Sequence, residues 1–566
     1  MNVLQRDRNT SYGDGEFSEF LKMAFRRHLG HSEEDYEKPV IGIANTFSEV
    51  NRCHANVQPI VEAIKQGIIM EGGTPLEFPT ISIGEMFTSP TTMLYRNLVA
   101  METEEMIMAQ PLDGTVLISG CDKMAPAQLM AAASANKPAI LISSGPMNNG
   151  EYKGRTLGAC SDCRHYWQEY KAGTIDVDEL NEINKELAPT AGHCMVMGSA
   201  STISSCTEAL GMMLPGGAAA PATVNERLHM ARETGRQIVR LVKADIKPSD
   251  IMTKKSFENA IRILMAIGGS TNAVIHLIAI AKRLNIEIDL DLFEEISKET
   301  PFIANMRPAG KYQMEDLYHA GGVPVILKEL ESQLHLDELT VTGKTMRENL
   351  ASVVIEDAYR DVVRPFDNPL HEDGGIAVLK GNLTPNGALI KTKAVLDKRL
   401  LSHRGQAVVF TSLEDMEARV NDPDLDVTED SVLILQNAGP VGAPGMPEAG
   451  MIPIPQKLLK KGVRDMVRLS DCRMSGTAFG TVILHVSPEA AVGGPIAIVK
   501  DGDWIELDVE KGTLNIDISE AELEQRLKQW QAPQYTDRGY YWLYRKHVLQ
   551  ADQGCDFDFM LPKKSE

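Results

Sequence analysis

The sequence predicts an α/β protein in two parts: an N-terminal α/β domain built on a parallel sheet, and a C-terminal β-barrel-like domain. Three observations carry this. Apolar strand-like runs alternate with helical patterns through the first two-thirds of the chain, and that spacing marks a parallel sheet with crossover helices. Composition shifts after Asp361, where Arg364-Pro365-Phe366-Asp367-Asn368-Pro369 reads as a linker. Beyond it the apolar runs are short, and one pair is spaced as a hairpin. We therefore divide the chain at residues 1–365 and 366–566.

The elements follow in order. Pro39 to Ala44 is a buried strand, and Val57 to Met70 a helix stopped by Gly72-Gly73. Phe78 to Ile83 reads as a strand and Thr91 to Ala109 as a helix. Thr115 to Ser119 is a strand, Ala127 to Ala135 a helix, and Ala139 to Ile142 a strand. Leu180 to Leu284 is mostly helical. In the second part, strands are expected at Ile376 to Leu379, Ala388 to Lys391, Ala407 to Phe410, Val432 to Leu435 and Gly480 to Val486. Trp504 to Val509 and Thr513 to Ile518 flank a Glu510-Lys511-Gly512 turn. Such a set hides its edges by closing on itself.

With 566 residues the chain has material for more than one core. Lys plus Arg is 57 against 78 Asp plus Glu, a net charge of −21. That disfavours nucleic acid and anionic membranes as partners, but leaves a small anionic substrate possible, because a pocket has its own local field. Met1 to Gly15 is polar, with no apolar leader core. The apolar run Ile263 to Ala281 is interrupted by Gly268-Gly269-Ser270-Thr271-Asn272 and His276, so it reads as a buried element with a polar turn. The expected location is cytoplasmic.

Eight cysteines are too few for a disulfide scaffold. Cys121-Asp122-Lys123 follows the strand 115–119 directly, at the edge where such sheets bind ligands. It presents a soft ligand, a hard ligand and an amine in consecutive positions, though an acidic helix start would look the same. Cys53 and Cys194 lie in polar stretches after apolar ones. Three such thiolates would leave one position open on a four-coordinate iron, and an open iron is a Lewis acid; an inert packed cysteine is the plainer reading of each. Cys160-Ser161-Asp162-Cys163 has no partner motif and reads as a structural loop rather than a metal or redox site. The Gly/Pro-dense stretch Gly439 to Glu448 is either a tight turn or a rigid arm aiming Glu448 at a metal. Ser475-Gly476 lies in a polar loop before a strand without a nucleophile elbow, which disfavours an acyl-transfer hydrolase.

Taken together, GCDKMAPAQ, AGHCMVMGSASTISSCTEALGMMLPGGA, GGSTNAVIHLIAIA, GGIAVLKGNLTPNGALIK, GPVGAPGMPEAG and SDCRMSGTAFGTVILHVSPEAA resemble the dihydroxy-acid dehydratase / 6-phosphogluconate dehydratase family over nearly the whole chain. EFPTISIGEMFTSPTTMLYRNLVAMETEE, LGACSDCRHYW, SGTAFG and the tail GYYWLYRKHVLQADQGCDFDFM resemble its sugar-acid dehydratases, of the L-arabinonate or D-xylonate type. Glu85 stands where the branched-chain amino-acid enzymes usually carry Asp. The resemblance implies a [2Fe–2S] cluster on Cys53, Cys121 and Cys194. It also implies Mg²⁺ on Glu85, Asp122, Glu448 and an N-carboxylated (carbamylated) Lys123. Ser475 is then the base that removes the C2 proton, and the product is a 2-keto-3-deoxy acid. Ser270, Thr271 and Asn272 are candidate substrate contacts, with His547 a further candidate in the tail. The implied assembly is a homodimer or homotetramer, with a small sugar-acid substrate. Dihydroxy-acid dehydratase of branched-chain amino-acid synthesis is the alternative. An iron–sulfur electron carrier is the competing reading from another class; it would need neither the hard-ligand residues nor this size.

Overall fold

A computed structural model describes residues 14–28, 30 and 32–562. The reading of the first fifteen residues as lacking a leader falls almost wholly outside them. The chain is a mixed α/β structure with a parallel sheet first and a nearly closed barrel second. The first sheet holds β1 (Val40–Asn45), β2 (Thr74–Pro79), β3 (Gly114–Ser119) and β4 (Ala139–Ser143), in the order β2-β1-β3-β4. All its pairings are parallel. Strands β1, β3 and β4 are buried along their whole length, which is why they read as continuous apolar runs. The predicted strand at Phe78 to Ile83 forms earlier, as β2. This is an edge strand, and an edge tolerates Pro75 and Pro79, which cannot donate to a ladder.

The order places the reversal of winding between β1 and β3. In open parallel sheets that is where a crevice forms beyond the carboxyl ends of the strands. The chain leaves β1 toward Cys53 and leaves β3 directly into Gly120-Cys121-Asp122-Lys123, from which the helix Met124–Ala135 starts. The apolar run at 263–281 is a helix pair, Lys254–Ala266 and Asn272–Arg283, broken at the Gly268-Gly269-Ser270 turn. A short antiparallel pair, β5 (Gly150–Tyr152) and β6 (Arg155–Leu157), leads into the helix Ala159–Ala172. The Cys160–Cys163 motif therefore lies on a helix and not in the loop predicted for it.

The second sheet has eight strands: β7 (Ile376–Leu379), β8 (Gly387–Lys391), β9 (Ser402–Phe410), β10 (Val432–Leu435), β11 (Arg468–Ser470), β12 (Val482–Ser487), β13 (Trp504–Asp508) and β14 (Thr513–Ile516). Their order is β14-β13-β9-β10-β11-β12-β8-β7. The edge strands meet where Lys380 bridges Thr513, which all but closes the sheet. Alternation sorts the faces. Val432 and Ile434 point into the barrel core with Val409, Leu469 and Ile483. Leu433 and Leu435 point outward into a second cluster with Phe410 and Ile452. Strands β9 to β12 run parallel. β10 and β11 are neighbours whose carboxyl ends feed the Gly439–Glu448 arm and the Asp471–Ser475 loop. No helix among the described residues is long and apolar enough to cross a membrane.

Candidate active site

Both sheets deliver polar residues from the carboxyl ends of adjacent parallel strands, and these residues meet. Lys123 is completely buried, and its ammonium lies among three carboxylates: Asp122 in close contact, Glu85 Oε2 at 3.5 Å and Glu448 Oε1 at 3.6 Å. Burial alone would lower the Lys123 pKa, but Asp122 and Glu85 outweigh it and hold the amine charged, with a raised pKa. Burial likewise works against the Glu85 carboxylate. Lys123, Arg473 and the Thr92 and Thr91 hydroxyls overcome it, bringing its pKa down to about 2. Glu85 is fixed at the start of the helix Thr92–Ala109. It accepts from Thr91 Oγ1 at 2.8 Å, from the Thr92 amide at 3.3 Å and from the Thr92 hydroxyl.

Glu448 comes from the other half of the chain. Asn272 Nδ2 donates to its Oε1 at 2.7 Å and Arg473 Nη1 at 3.1 Å. Arg473 is buried, and also donates to Met446 O at 2.7 Å and Thr91 Oγ1 at 3.1 Å, so one guanidinium joins the Glu448 arm to the Glu85 helix. The arm can lie that close because Gly445 has a φ of +89° and no side chain. A Cβ there would stand 2.5 Å from the Leu94 amide nitrogen.

The arm is clamped from behind. Glu489 accepts from the Val441 amide at 2.9 Å and the Gly442 amide at 2.8 Å, and Asp471 accepts from Ala438 and Ala490. Burial pushes the Asp471 carboxyl up to about 6. Burial and the neighbouring Asp471 push Glu489 up to about 7.

Ser475 Oγ is hydrogen-bonded to Thr477 Oγ1 at 2.9 Å. A Cβ on the next residue, Gly476, would sit 2.8 Å from Ser270 Cβ and 2.9 Å from the Ser199 amide, so this turn presses on the 268–272 turn. Ser199 Oγ lies 2.9 Å from Ser270 Oγ and accepts from Asn272 Nδ2 at 3.0 Å. Gly476, next to Ser475, thus packs on Ser270, and Ser199 joins Ser270 to Asn272 and so to Glu448. The buried Asn272 Oδ1 has no partner. Thr271 starts the helix beside them and is buried. His547 bonds Asp558 at 2.9 Å and packs edge-on against Phe559, away from these contacts.

Four of the cysteines fall into two pairs. The neighbouring Cys53 thiol, with burial and Asp122, raises the Cys121 pKa. His54 joins their two segments. The Cys121 amide donates to His54 Nε2 at 3.0 Å, so the proton is on Nδ1, which faces Thr46 O at 3.1 Å and Thr46 Oγ1 at 2.7 Å. Burial holds His54 neutral, with its pKa lowered to about 3. Cys194 meets the Cys160 side chain instead, and that bond outweighs burial to bring its pKa to about 7. Among the described residues no three His, Cys, Asp or Glu side chains converge at metal-binding distances. The Lys123 ammonium lies between the carboxylates, and Cys53, Cys121, Cys160 and Cys194 pair two by two.

The structure therefore brings together Glu85, Asp122, Lys123, Glu448 and Asn272, sets Ser270 on the same chain of contacts with the Ser475-Gly476 turn packed against it, and brings Cys53 to Cys121. His54, Arg473, Thr91 and Thr92 are structural partners that the sequence reading passed over. The available signals were the Cys53-His54 pair, the position of Arg473 two residues before Ser475, and the Thr-Thr pair at a helix start.

Known proteins resemble this chain over nearly its whole length. Family models described as dihydroxy-acid/6-phosphogluconate dehydratase, N-terminal and C-terminal, match residues 38–349 and 361–555. An L-arabinonate dehydratase of Rhizobium leguminosarum bv. trifolii is 48% identical over 527 residues, 92% of this chain and 90% of that one. A 6-deoxy-6-sulfo-D-gluconate dehydratase of Pseudomonas putida is 45% identical over 533 residues, covering 93% and 91%. A dihydroxy-acid dehydratase of Halothermothrix orenii is 43% identical over 540 residues, covering 93% and 96%.

Proposed function

The chain belongs to the dihydroxy-acid/6-phosphogluconate dehydratase family and is a hydro-lyase; from that premise we propose that it dehydrates a sugar (aldonic) acid, of the L-arabinonate or D-xylonate type, to the 2-keto-3-deoxy acid. The observation that carries the reading is the buried Lys123 ringed by Glu85, Asp122 and Glu448. Identity supports the substrate class: relatives named for sugar acids reach 48% and 45%, against 43% for one named for a dihydroxy acid.

The donor sets fit the two groups the family implies. Three carboxylates crowd one ammonium, an excess of hard anionic oxygen that suits Mg²⁺. Carboxylation of Lys123 would turn its ammonium into one more anionic oxygen ligand. Cys53 and Cys121 interact, and Cys194 is the third thiol in a polar segment. We assign Glu85, Asp122, Glu448 and Lys123 to the cation, and Cys53, Cys121 and Cys194 to a [2Fe–2S] cluster. When bound, these groups supply Lewis-acid stabilisation at the substrate carboxylate, the C2 oxygen and the departing hydroxyl.

The chain's own residues do the rest. Ser475 Oγ, ionised to the alkoxide, takes the C2 proton and becomes the neutral hydroxyl, and Thr477 Oγ1, 2.9 Å away, steadies that oxygen. The C3 hydroxyl leaves with a proton as water, and the enol left behind gives up its hydroxyl proton and gains one at C3 to become the keto acid. Arg473 and Asn272 hold Glu448 in place. Ser270 lies beside the Ser475 turn, where a substrate hydroxyl could be met.

The test is 2-keto acid release by anaerobically purified protein with Mg²⁺. Substrates are L-arabinonate, D-xylonate, L-fuconate, D-gluconate, D-galactonate and 2,3-dihydroxyisovalerate. At least a tenfold preference in kcat/KM for an aldonate is expected, about 1.4 kcal/mol of transition-state discrimination. A preference for dihydroxyisovalerate would move the chain to branched-chain amino-acid synthesis.

A further inference from the structure

Four of the eight cysteines face another thiol, and one of these four has no place in the function proposed above. Cys206, Cys472 and Cys555 are each wholly buried in the core. Cys53 meets Cys121, and Cys160 meets Cys194. Cys160 is not in the cluster set, yet it lies against a member of it.

That contact is built into the fold. Cys160 lies in the first turn of the helix Ala159–Ala172. The start of the helix is pinned to the segment after Cys194, because the Ala159 amide donates to Met195 Sδ at 3.0 Å. Gly158 permits the approach: a Cβ there would stand 2.5 Å from Val196 Cγ1. Asp162 holds the turn from the other side, accepting from the Gly158 amide at 2.6 Å and from Arg307 Nη1 at 2.9 Å. The second cysteine of the motif acts on the thiols of Cys160 and Cys194 only through longer-range electrostatics. Cys163 is exposed, and its thiol donates to Cys160 O at 3.2 Å. Cys160 and Cys194 are half-buried.

We propose that Cys160 and Cys194 are an oxidisable pair: when Cys194 holds no iron they close into a disulfide, which withdraws the third cluster thiolate until it is reduced. The consequence for the cluster rests on the assignment of Cys194 made above; the disulfide itself does not. The oxidant is a low-molecular-weight disulfide of the glutathione class. One cysteine attacks it, releasing one small thiol and leaving a mixed disulfide. The other cysteine attacks that, releasing the second small thiol. The two cysteines lose two electrons and two protons, and the oxidant gains both. Reduction by excess small thiol reverses each step.

The experiment treats full-length protein, iron-loaded and chelator-stripped, with oxidised glutathione. Free thiols are alkylated, and linked peptides are identified by mass spectrometry without reduction. The expected result is a Cys160–Cys194 link, at least fivefold more abundant in stripped than in loaded protein and removed by dithiothreitol. Cys160→Ser should leave Cys194 free of any link to the helix. Cys163→Ser should leave the Cys160–Cys194 link intact, which guards against one variant simply misfolding. No such link in the stripped protein, or Cys163 in place of Cys160, would overturn the proposal. Equal yield in loaded and stripped protein would leave the disulfide standing and overturn instead the assignment of Cys194 to the cluster.

Discussion

Replacing Ser475 with Ala separates a base from a turn residue, because the structure limits what the turn alone is worth. Ser475 Oγ has two contacts, the 2.9 Å bond to Thr477 Oγ1 and a longer bond from the Thr477 amide at 3.4 Å. A hydrogen bond of this kind contributes about 1 kcal/mol net, which corresponds to about fivefold in rate if all of it appeared in the barrier. A proton-abstracting group contributes ~10²- to 10⁴-fold. Ser475→Ala should therefore lower kcat by at least about a hundredfold. Iron content and thermal midpoint should stay near those of the parent. Thr477→Val removes the same 2.9 Å bond from its other end while leaving the Ser475 hydroxyl in place. It should cost no more than about tenfold. The assay is keto acid release at saturating substrate, with iron content and a melting curve on each variant. If Ser475→Ala keeps more than about a tenth of parental kcat, or Thr477→Val matches it, the base lies elsewhere and the hydroxyl only shapes the loop.

Two further outcomes follow from how the Glu448 arm is held. Gly445→Ala must place a Cβ 2.5 Å from the Leu94 amide nitrogen at a φ of +89°, a conformation costing roughly 1–2 kcal/mol before any clash. The arm must shift, so activity should fall at least tenfold while the far-UV circular dichroism stays parental; unchanged activity would mean Glu448 needs no such approach. Glu489 and Asp471 bind protons more tightly in the folded chain than in the unfolded one, with pKa values near 7 and 6 respectively. Their stabilising protonation is complete below the unfolded carboxylate range, and it is lost as pH rises through about 6 and 7. The thermal midpoint of the parent should therefore fall between pH 5 and pH 8 more steeply than that of Glu489→Gln, which cannot titrate there; parallel slopes would show that Glu489 is ionised throughout.

What the sequence revealed, and what it hid, divides along the range of the forces involved. β1, β3 and β4 were legible because a strand buried on both faces must be apolar at every position, whatever it packs against. β2 was misplaced because its Thr74-Pro75-Leu76-Glu77 start carries little strand signal; it forms because β1 offers it a free edge. The Cys160–Cys163 motif reads as a loop from its local sequence, although its residues sit on a helix. That helix is docked by Gly158 against Val196, a contact nearly forty residues away in sequence that no local pattern announces. The site follows the same division. Cys121-Asp122-Lys123 could be picked out at a strand end, since strand ends in parallel sheets are where ligands go. That Lys123 meets Glu85 and Glu448 could be reached only through the family resemblance, because it depends on two loops from distant parts of the chain closing on one amine. Arg473 was missed for the converse reason: composition places arginine outside. A buried guanidinium is tolerable only once Met446, Glu448 and Thr91 are all in place to receive it. Residues that must be satisfied by partners far along the chain carry almost no local signature, and here they are the ones that tie the catalytic candidates to one another.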